Sequence, residues 1–202
     1  ALRPDLVIAN HEVNPRRTVE RRVGAGVPVW VTYPRTVREG AALLRELAAL
    51  GASEEALRTV VEPVEEAVVE AERTRPAVPA RVFCPVWRDP WMSVGADTYA
   101  QDLLTLSGGA NVFAERRERR YPRVTLDDVA AAAPEVVLLP DEPYAFGPRD
   151  VAELRRLPIP AAPDRIHCID GTWVSWYGAR IRPALATLRR LLHPPPSSPP
   201  EQ

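Results

Sequence analysis

A long helical pattern in the middle of the chain constrains the fold more than any other feature. Residues 53–75 carry apolar side chains at helical spacing, after a serine and two glutamates that are typical of a helix start. Such a helix would span roughly 33 Å. We expect Pro63 to kink or split it, because proline removes a backbone hydrogen bond and crowds the preceding turn. Since strand patterns lie on both sides, the helix is predicted to connect two α/β segments.

The segment before this helix alternates strand and helix patterns. Residues 6–9 are continuously apolar, which is typical of a strand covered on both faces, and residues 27–33 are rich in β-branched and aromatic side chains. Helices are predicted at residues 15–24 and 36–51. This alternation predicts parallel strands, although two strands alone make a thin sheet. We therefore expect residues 1–52 to form a partial N-terminal α/β lobe.

The start of the chain is similar to a later segment. Residues 1–9 resemble residues 131–139, because in both a proline and an acidic residue precede an apolar strand. A full helix precedes the second copy, so the corresponding helix would lie upstream of Ala1. This favours a chain that lacks an N-terminal segment. The alternative is a mature chain that starts with a short extension.

The segment after the long helix, residues 80–193, is predicted to be a second α/β lobe. Residues 53–76 would form the connecting helix, and the Pro/Ser-rich residues 194–202 a disordered tail. The fold class predicted is therefore α/β. Within the second lobe, strands are expected at residues 81–87, 136–139 and 166–169, and helices at residues 97–109, 125–132 and 178–192.

The composition excludes several functional classes. The formal net charge is −1, so bulk charge favours neither nucleic acid nor a membrane surface as a partner. Two cysteines rule out a disulfide scaffold, and three separated histidines rule out a histidine-rich metal site. The sequence contains neither a phosphate-binding loop nor a nucleophile elbow. We therefore predict a protein that is not an enzyme and has no catalytic residues, metal or cofactor.

The two cysteines both lie in strand patterns. Cys84 and Cys168 are interpreted first as buried small side chains, with a disulfide and then a catalytic role as alternatives. His167 precedes Cys168, but neighbouring residues of a strand point to opposite faces. The two side chains are therefore not expected to share a metal ion.

Aromatic side chains cluster in loops that follow predicted strands. An open α/β sheet brings the carboxyl ends of its strands to one rim, so we expect a surface that binds a large, flat ligand. The alternative is that two or three of these rings fill the core. The candidate ligand-binding residues of this set are Trp87, Trp91, Tyr121, Trp173, Trp176 and Tyr177.

Charged and polar loop residues complete the candidate site. His11 and Glu12 follow the first predicted strand at its carboxyl end, where ligands bind in open α/β sheets. Arg180 lies near the start of the last predicted helix and would meet polar groups at the edge of a ligand. Asp127 and Asp128 lie in the first turn of a helix, where they either cap that helix or dock to an arginine of a partner.

Several motifs together resemble the periplasmic binding proteins for cobalamin and ferric siderophores. They are the G-G-x-N-x-F pattern at residues 108–113, the P-[DE]-x-[VI] pattern at residues 4–7 and 134–137, and similar stretches at residues 81–99, 121–125 and 173–181. The resemblance covers nearly all of the chain up to His193. It implies two Rossmann-like lobes joined by a backbone helix, the first lobe incomplete, with the ligand in the cleft between lobes. It also implies an extracytoplasmic, monomeric protein that delivers its ligand to the permease of an ABC importer.

Within this family, the chain is most similar to the cobalamin-binding type. Tyr121 and Trp173 match positions at which that type carries aromatic rings against the corrin. Asp127 matches an acid that pairs with a permease arginine. Arg16 stands where the first lobe carries the second such acid, so Glu12 or Glu20 would replace it.

The resemblance therefore implies a corrinoid ligand, with two alternatives. A ferric siderophore or haem would use arginine for its anionic groups, and Arg88 and Arg180 are available for that role. The second alternative is a non-transport module that keeps the fold without a ligand.

Overall fold

Helices alternate with parallel strands along the computed structural model, which describes residues 3–195. This order confirms the predicted α/β class. Contacts within the chain divide it into two compact units, residues 1–34 and residues 35–202. Most of the predicted C-terminal tail, from residue 196 onward, lies outside the described residues. None of the helices between residues 3 and 195 has the length and apolar character of a membrane span.

The first unit contains two parallel strands and one helix among its described residues. β1 (Val7–Asn10) pairs with β2 (Val29–Thr32), and α1 (Arg16–Gly24) connects them. The expectation that β1 is covered on both faces is wrong, because Ile8 is 48% exposed. The physical reason is that α1 buries none of its own residues and a two-stranded sheet is too narrow to shield its apolar positions.

The second unit is built on a parallel sheet. Its strands are β3 (Ala80–Phe83), β4 (Pro85–Trp87), β5 (Met92–Ser93), β6 (Gly109–Asn111), β7 (Val136–Pro140) and β8 (Ile166–Ile169). Four of them form a parallel sheet in the spatial order β6–β3–β7–β8. The antiparallel ribbon of β4 and β5 follows β3 directly, at the carboxyl end of that strand.

Helices cover both faces of this sheet. They are α2 (Val37–Ala48), α3 (Glu54–Ala56), α4 (Glu62–Arg73), α5 (Tyr99–Leu106), α6 (Leu126–Ala132), α7 (Pro148–Leu154), α8 (Thr172–Ser175) and α9 (Ile181–Leu192). Side chains of α2, α4, α5 and α9 pack into one apolar core with Leu138 of β7. Those of α6 and α7 pack into a second core with Leu139, because successive strand residues point to opposite faces.

The predicted central helix is present as one helical segment from Glu54 to Arg73. A π-helical turn at Leu57–Val61 joins α3 to α4, and Pro63 follows in the first turn of α4. The segment therefore accommodates the lost N–H bond of proline by widening one turn rather than by breaking. α4 packs against α2 and α9 inside the second unit. The predicted division into a lobe at residues 1–52, a connecting helix at residues 53–76 and a second lobe stays a prediction.

The glycine-rich motif at residues 108–113 serves the fold. Gly108 has a φ of +91°, and a Cβ there would lie 2.7 Å from His193 Nε2. The buried Asn111 donates from Nδ2 to the carbonyl of Val94 (2.9 Å) and to Gln101 Oε1 (2.7 Å). Its Oδ1 also accepts from the backbone N–H of residue 113. The motif thus fixes β6 against α5 and the segment after β5.

Candidate functional site

Three segments leave the sheet of the second unit at the carboxyl ends of its strands. The β4–β5 ribbon follows β3, residues 141–147 follow β7, and α8 follows β8. Because these strands are parallel, their carboxyl ends lie at one edge, as expected for a ligand site in an open α/β sheet. We refer to residues 141–147 as the rim loop.

The rim loop lies between two exposed tryptophans. The ring of Tyr144 meets that of Trp87 edge to face, with centroids 5.8 Å apart. Two residues earlier, Glu142 Oε1 accepts a hydrogen bond from Trp176 Nε1 (2.5 Å) and lies 3.0 Å from Ser175 Oγ, which also lies 2.5 Å from the carbonyl oxygen of residue 171. Trp87 is 44% exposed and Trp176 is 58% exposed. We call Trp87, Tyr144 and Trp176 the aromatic rim.

Close packing fixes the rim loop to the end of β8. Asp141 Oδ1 accepts from the backbone N–H of Gly171 (2.7 Å), and the backbone N–H of Asp141 donates to the carbonyl of Ile169 (3.1 Å). A Cβ at position 171 would lie 2.5 Å from Cγ of Glu142, so only glycine fits there. The carboxylate of Glu142 is therefore held in place by the backbone beneath it.

Trp91 belongs to the core rather than to the aromatic rim. It is 8% exposed, its ring stacks on Phe146 at 5.5 Å, and the guanidinium carbon of Arg88 lies 5.2 Å from its ring centroid. The ring of Trp91 is therefore covered by other parts of the protein. This burial agrees with the alternative that some loop aromatics fill the core, and the ligand contact of Trp91 stays a prediction.

The two arginines considered for anionic ligands are already paired with carboxylates. The side chain of Arg88 is 10% exposed and forms ion pairs with Asp150 and with Glu153. Arg180 is 53% exposed, donates to Thr172 Oγ1 (2.8 Å) and lies 3.8 Å from Asp170. The hydrogen bond from Thr172, together with the charge of Arg180, holds the pKa of Asp170 below its ordinary value.

The other aromatic candidates are partly buried. Trp173 and Tyr177 pack against the core that contains Leu138, and the ring of Tyr177 lies 5.8 Å from that of Tyr99. Tyr121 is half-buried in a segment that pairs with β5, where the backbone N–H of Ser93 donates to the carbonyl of residue 122. Their proposed ligand contacts stay predictions.

In the first unit, the candidates lie in a tight turn after β1. Asn10 Oδ1 accepts from the backbone N–H groups of Glu12 (2.9 Å) and residue 13 (3.2 Å). These bonds form an Asx turn, in which the chain changes direction sharply after β1. The exposed ring of His11 lies 4.3 Å from the ring of Tyr33, which follows β2. The roles of His11 in ligand binding and of Glu12 in docking stay predictions.

The two neighbouring aspartates at the start of α6 differ in their contacts. Asp128 forms a capping box with Thr125 and an ion pair with Arg116 (2.6 Å). The hydrogen bond from Thr125 and the contact with Arg116 lower its pKa. Asp127 is exposed. The capping role is thus filled by Asp128, which leaves Asp127 as the candidate for docking.

Both cysteines are free, so the disulfide alternative is wrong. Cys84 is fully buried, and burial raises the pKa of its thiol to about 12, which keeps it protonated. Cys168 is exposed, against the expectation that it is buried, because it lies on β8 at the edge of the sheet. Among residues 3–195, no group of three metal-ligating side chains comes together.

Glu142 and Tyr144 are the site residues that the sequence interpretation missed. That interpretation considered the loops after β1, β3 and β8 and the segment at Tyr121, but not the loop after β7. A usable signal was present, because Glu142 and Tyr144 follow a continuous apolar strand and precede Gly147, which opens the next helix.

The chain matches one protein family over most of its length. The profile of the family described as "Periplasmic binding protein" matches residues 1–159. The curated vitamin B12-binding protein of Yersinia pestis (strain Pestoides F) is 26% identical over 140 residues, which cover 69% of this chain and 50% of that protein. The chain thus spans about half the length of the curated relatives that it matches.

Two solved structures are similar over nearly the whole chain. The periplasmic vitamin B12 binding protein BtuF of Vibrio cholerae aligns with a TM-score of 0.78 at 20% identity, covering 94% of this chain and 74% of that one. The apo periplasmic heme-binding protein RhuT of Roseiflexus sp. RS-1 aligns with a TM-score of 0.76 at 25% identity, covering 94% and 75%. At these identities, the likeness to BtuF concerns the fold alone.

Proposed function

The chain belongs to the periplasmic binding protein family, and from that premise we propose that it captures a corrinoid at the aromatic rim. The observation that carries the proposal is the pair of exposed tryptophans, Trp87 and Trp176, on either side of one fixed loop. Large exposed rings on a rigid support offer their faces for stacking against a ligand. A flat macrocycle covers such rings by stacking and by apolar burial.

The pairing of the arginines supports a corrinoid over an anionic ligand. Haem and ferric siderophores carry negative groups that arginine binds best when it is unpaired. Arg88 and Arg180 each lie beside carboxylates, which reduces their attraction for such groups. The similarity to a curated vitamin B12-binding protein supports the same ligand class.

Haem is the second candidate ligand, because the heme-binding protein RhuT, which has the same fold, is 25% identical to this chain. The half-exposed Arg180 favours it, since a porphyrin carboxylate could approach that guanidinium from solvent. A ferric siderophore would bind through the same arginine. In either case the class of function, capture without chemistry, is the same.

We further propose that the ligand passes to the permease of an ABC importer outside the cytoplasm. Asp127 supports this step, because it is an exposed carboxylate on a helix whose capping role is filled by its neighbour. An exposed acid of this kind suits an arginine of a partner protein. Glu12 is the corresponding candidate in the first unit.

The test is a titration of the chain with three ligands in parallel. Cyanocobalamin, haemin and a ferric hydroxamate are added separately, and tryptophan quenching is corrected for ligand absorbance. We expect saturation near one equivalent with cyanocobalamin and a weaker response with haemin. Saturation by haemin or by the hydroxamate alone would keep the binding class and replace the ligand. No response to any of the three would favour a module without a ligand.

A further inference from the structure

We propose that Glu142 positions Trp176 for stacking and selects against ligands that carry carboxylates at this edge of the aromatic rim. The inference rests on the proposed function for its ligand part, whereas its positioning part concerns the free protein. It assigns a specific role to a residue that no sequence motif marks.

The positioning part follows from the hydrogen bonds of α8. Oε1 of Glu142 accepts a hydrogen bond from the indole N–H of Trp176. A hydrogen bond to a carboxylate is stronger than one between neutral groups. Because Gly171 leaves no room beneath the Glu142 side chain, the acceptor cannot withdraw in that direction. An indole that is 58% exposed is thereby held in one orientation.

The selectivity part follows from the charges around this carboxylate. Among residues 3–195, no arginine pairs with Glu142, and its second oxygen has no hydrogen-bond partner. The adjacent Asp141 adds a second negative charge, and within the described part of the chain its carboxylate accepts only from the backbone N–H of Gly171. Arg180, which follows α8 in the chain, lies beside Asp170 and Thr172. The edge of the rim that Trp176 occupies is therefore negative.

Corrinoids and haem carry different polar groups at their edges, and Glu142 interacts differently with each kind. The amide side chains of a corrinoid supply N–H donors, which the unused carboxylate oxygen can accept. The carboxylates of haem supply no donor when ionised, and like charges repel. The same residue would thus favour a macrocycle rimmed by amides and disfavour one rimmed by carboxylates.

The positioning part is tested on the ligand-free chain by the indole N–H resonance of Trp176. The resonance is assigned by its loss in Trp176→Phe. We expect Glu142→Ala to move it to the position of a solvent-exposed indole, and Glu142→Gln to restore most of its original position, because an amide oxygen can still accept. An unchanged resonance in Glu142→Ala would overturn the positioning role.

The selectivity part is tested by dissociation constants for haemin and cyanocobalamin. In Glu142→Gln we expect haemin to bind about five- to tenfold more tightly and cyanocobalamin a few-fold more weakly. Glu66→Gln, on the exposed side of α4, is the matched control for the loss of one negative charge. Equal changes in the two variants would overturn selectivity. If the unaltered chain binds neither ligand, the proposed function and the selectivity fail together, while the indole resonance still decides positioning.

Discussion

Two segments of the second unit, residues 108–113 and the rim loop, use polar side chains in opposite ways. Asn111 directs its amide inward and bonds to three groups of the protein. Glu142 directs its carboxylate outward and bonds to the indole of an exposed tryptophan. The first segment carries one of the two short motifs on which the family resemblance rests, and the second carries none. A family motif can thus mark the fold, while the candidate ligand surface lies in a loop without a motif.

The largest expected effect is a difference in unfolding free energy between alanine variants of two tryptophans, Trp91 and Trp176. Trp91→Ala should lower the free energy of unfolding by about 3–5 kcal/mol, because it empties a core site between Phe146 and Arg88. Trp176→Ala should change it by only about 0.5 kcal/mol, as for other exposed side chains. Urea denaturation of both variants measures the difference. Equal losses would contradict the division between core and rim.

The next effect tests the role of the motif. Asn111→Ala should cost about 2–3 kcal/mol of unfolding free energy, because it leaves the carbonyl of Val94 and the amide of Gln101 without a buried partner. Ligand affinity per folded molecule should stay unchanged. A variant of full stability with weakened binding would place Asn111 in the ligand site instead of the fold. Denaturation and titration of the same sample distinguish the two results.

The third effect concerns the aromatic rim. Trp176→Ala should weaken cyanocobalamin binding about tenfold, or about 1.4 kcal/mol, because one stacking face is lost. Trp176→Phe is the control, since it keeps an apolar ring and should recover part of the affinity. Equilibrium dialysis gives both constants. Affinity that survives the alanine change would remove Trp176 from the binding surface.

The smallest effect compares the neighbouring aspartates of α6 as a function of pH. The lowered folded-state pKa of Asp128 means that its stabilisation is present above its unfolded-state pKa of about 3.9 and is lost as the pH falls through the folded-state value. Asp128→Ala should therefore cost about 1 kcal/mol at pH 7, and this cost should vanish at strongly acidic pH. Asp127→Ala, its matched control, should cost about 0.3 kcal/mol at pH 7. A larger loss for Asp127 than for Asp128 would reverse their assigned roles.

Local sequence patterns predict the helices and strands. Which residues form the candidate site depends on tertiary contacts, which local patterns do not show. The helical periodicity of residues 53–75 predicted the helical segment to within two residues at its end, but not the π turn before Pro63. Trp91 and Trp176 both follow strands in sequence, yet Phe146 buries one while α8 presents the other. A stacking partner from a distant segment, such as Phe146, leaves no periodic pattern in the sequence around Trp91. The burial of Trp91 is therefore not predictable from that local sequence.

The rim loop illustrates the same limit from the other side. Glu142 becomes part of the site only because Gly171, distant in sequence, allows the two backbones to approach. Neither residue type is unusual by itself, and their juxtaposition depends on the pairing of β7 with β8. The α/β class could be predicted because it depends on alternation along the chain, whereas the site depends on which strand ends become neighbours.

Solvent reaches only one of the two cysteine thiols, so a thiol-reactive reagent has a single site of attachment. Cys84 is sealed in the core with its thiol protonated, so a maleimide dye should attach at Cys168 without any engineered cysteine. The labelled position lies on β8, the strand that leads directly into α8 and Trp176. A dye at this position can be excited by energy transfer from that indole, so ligand capture becomes an optical signal in the unmutated protein.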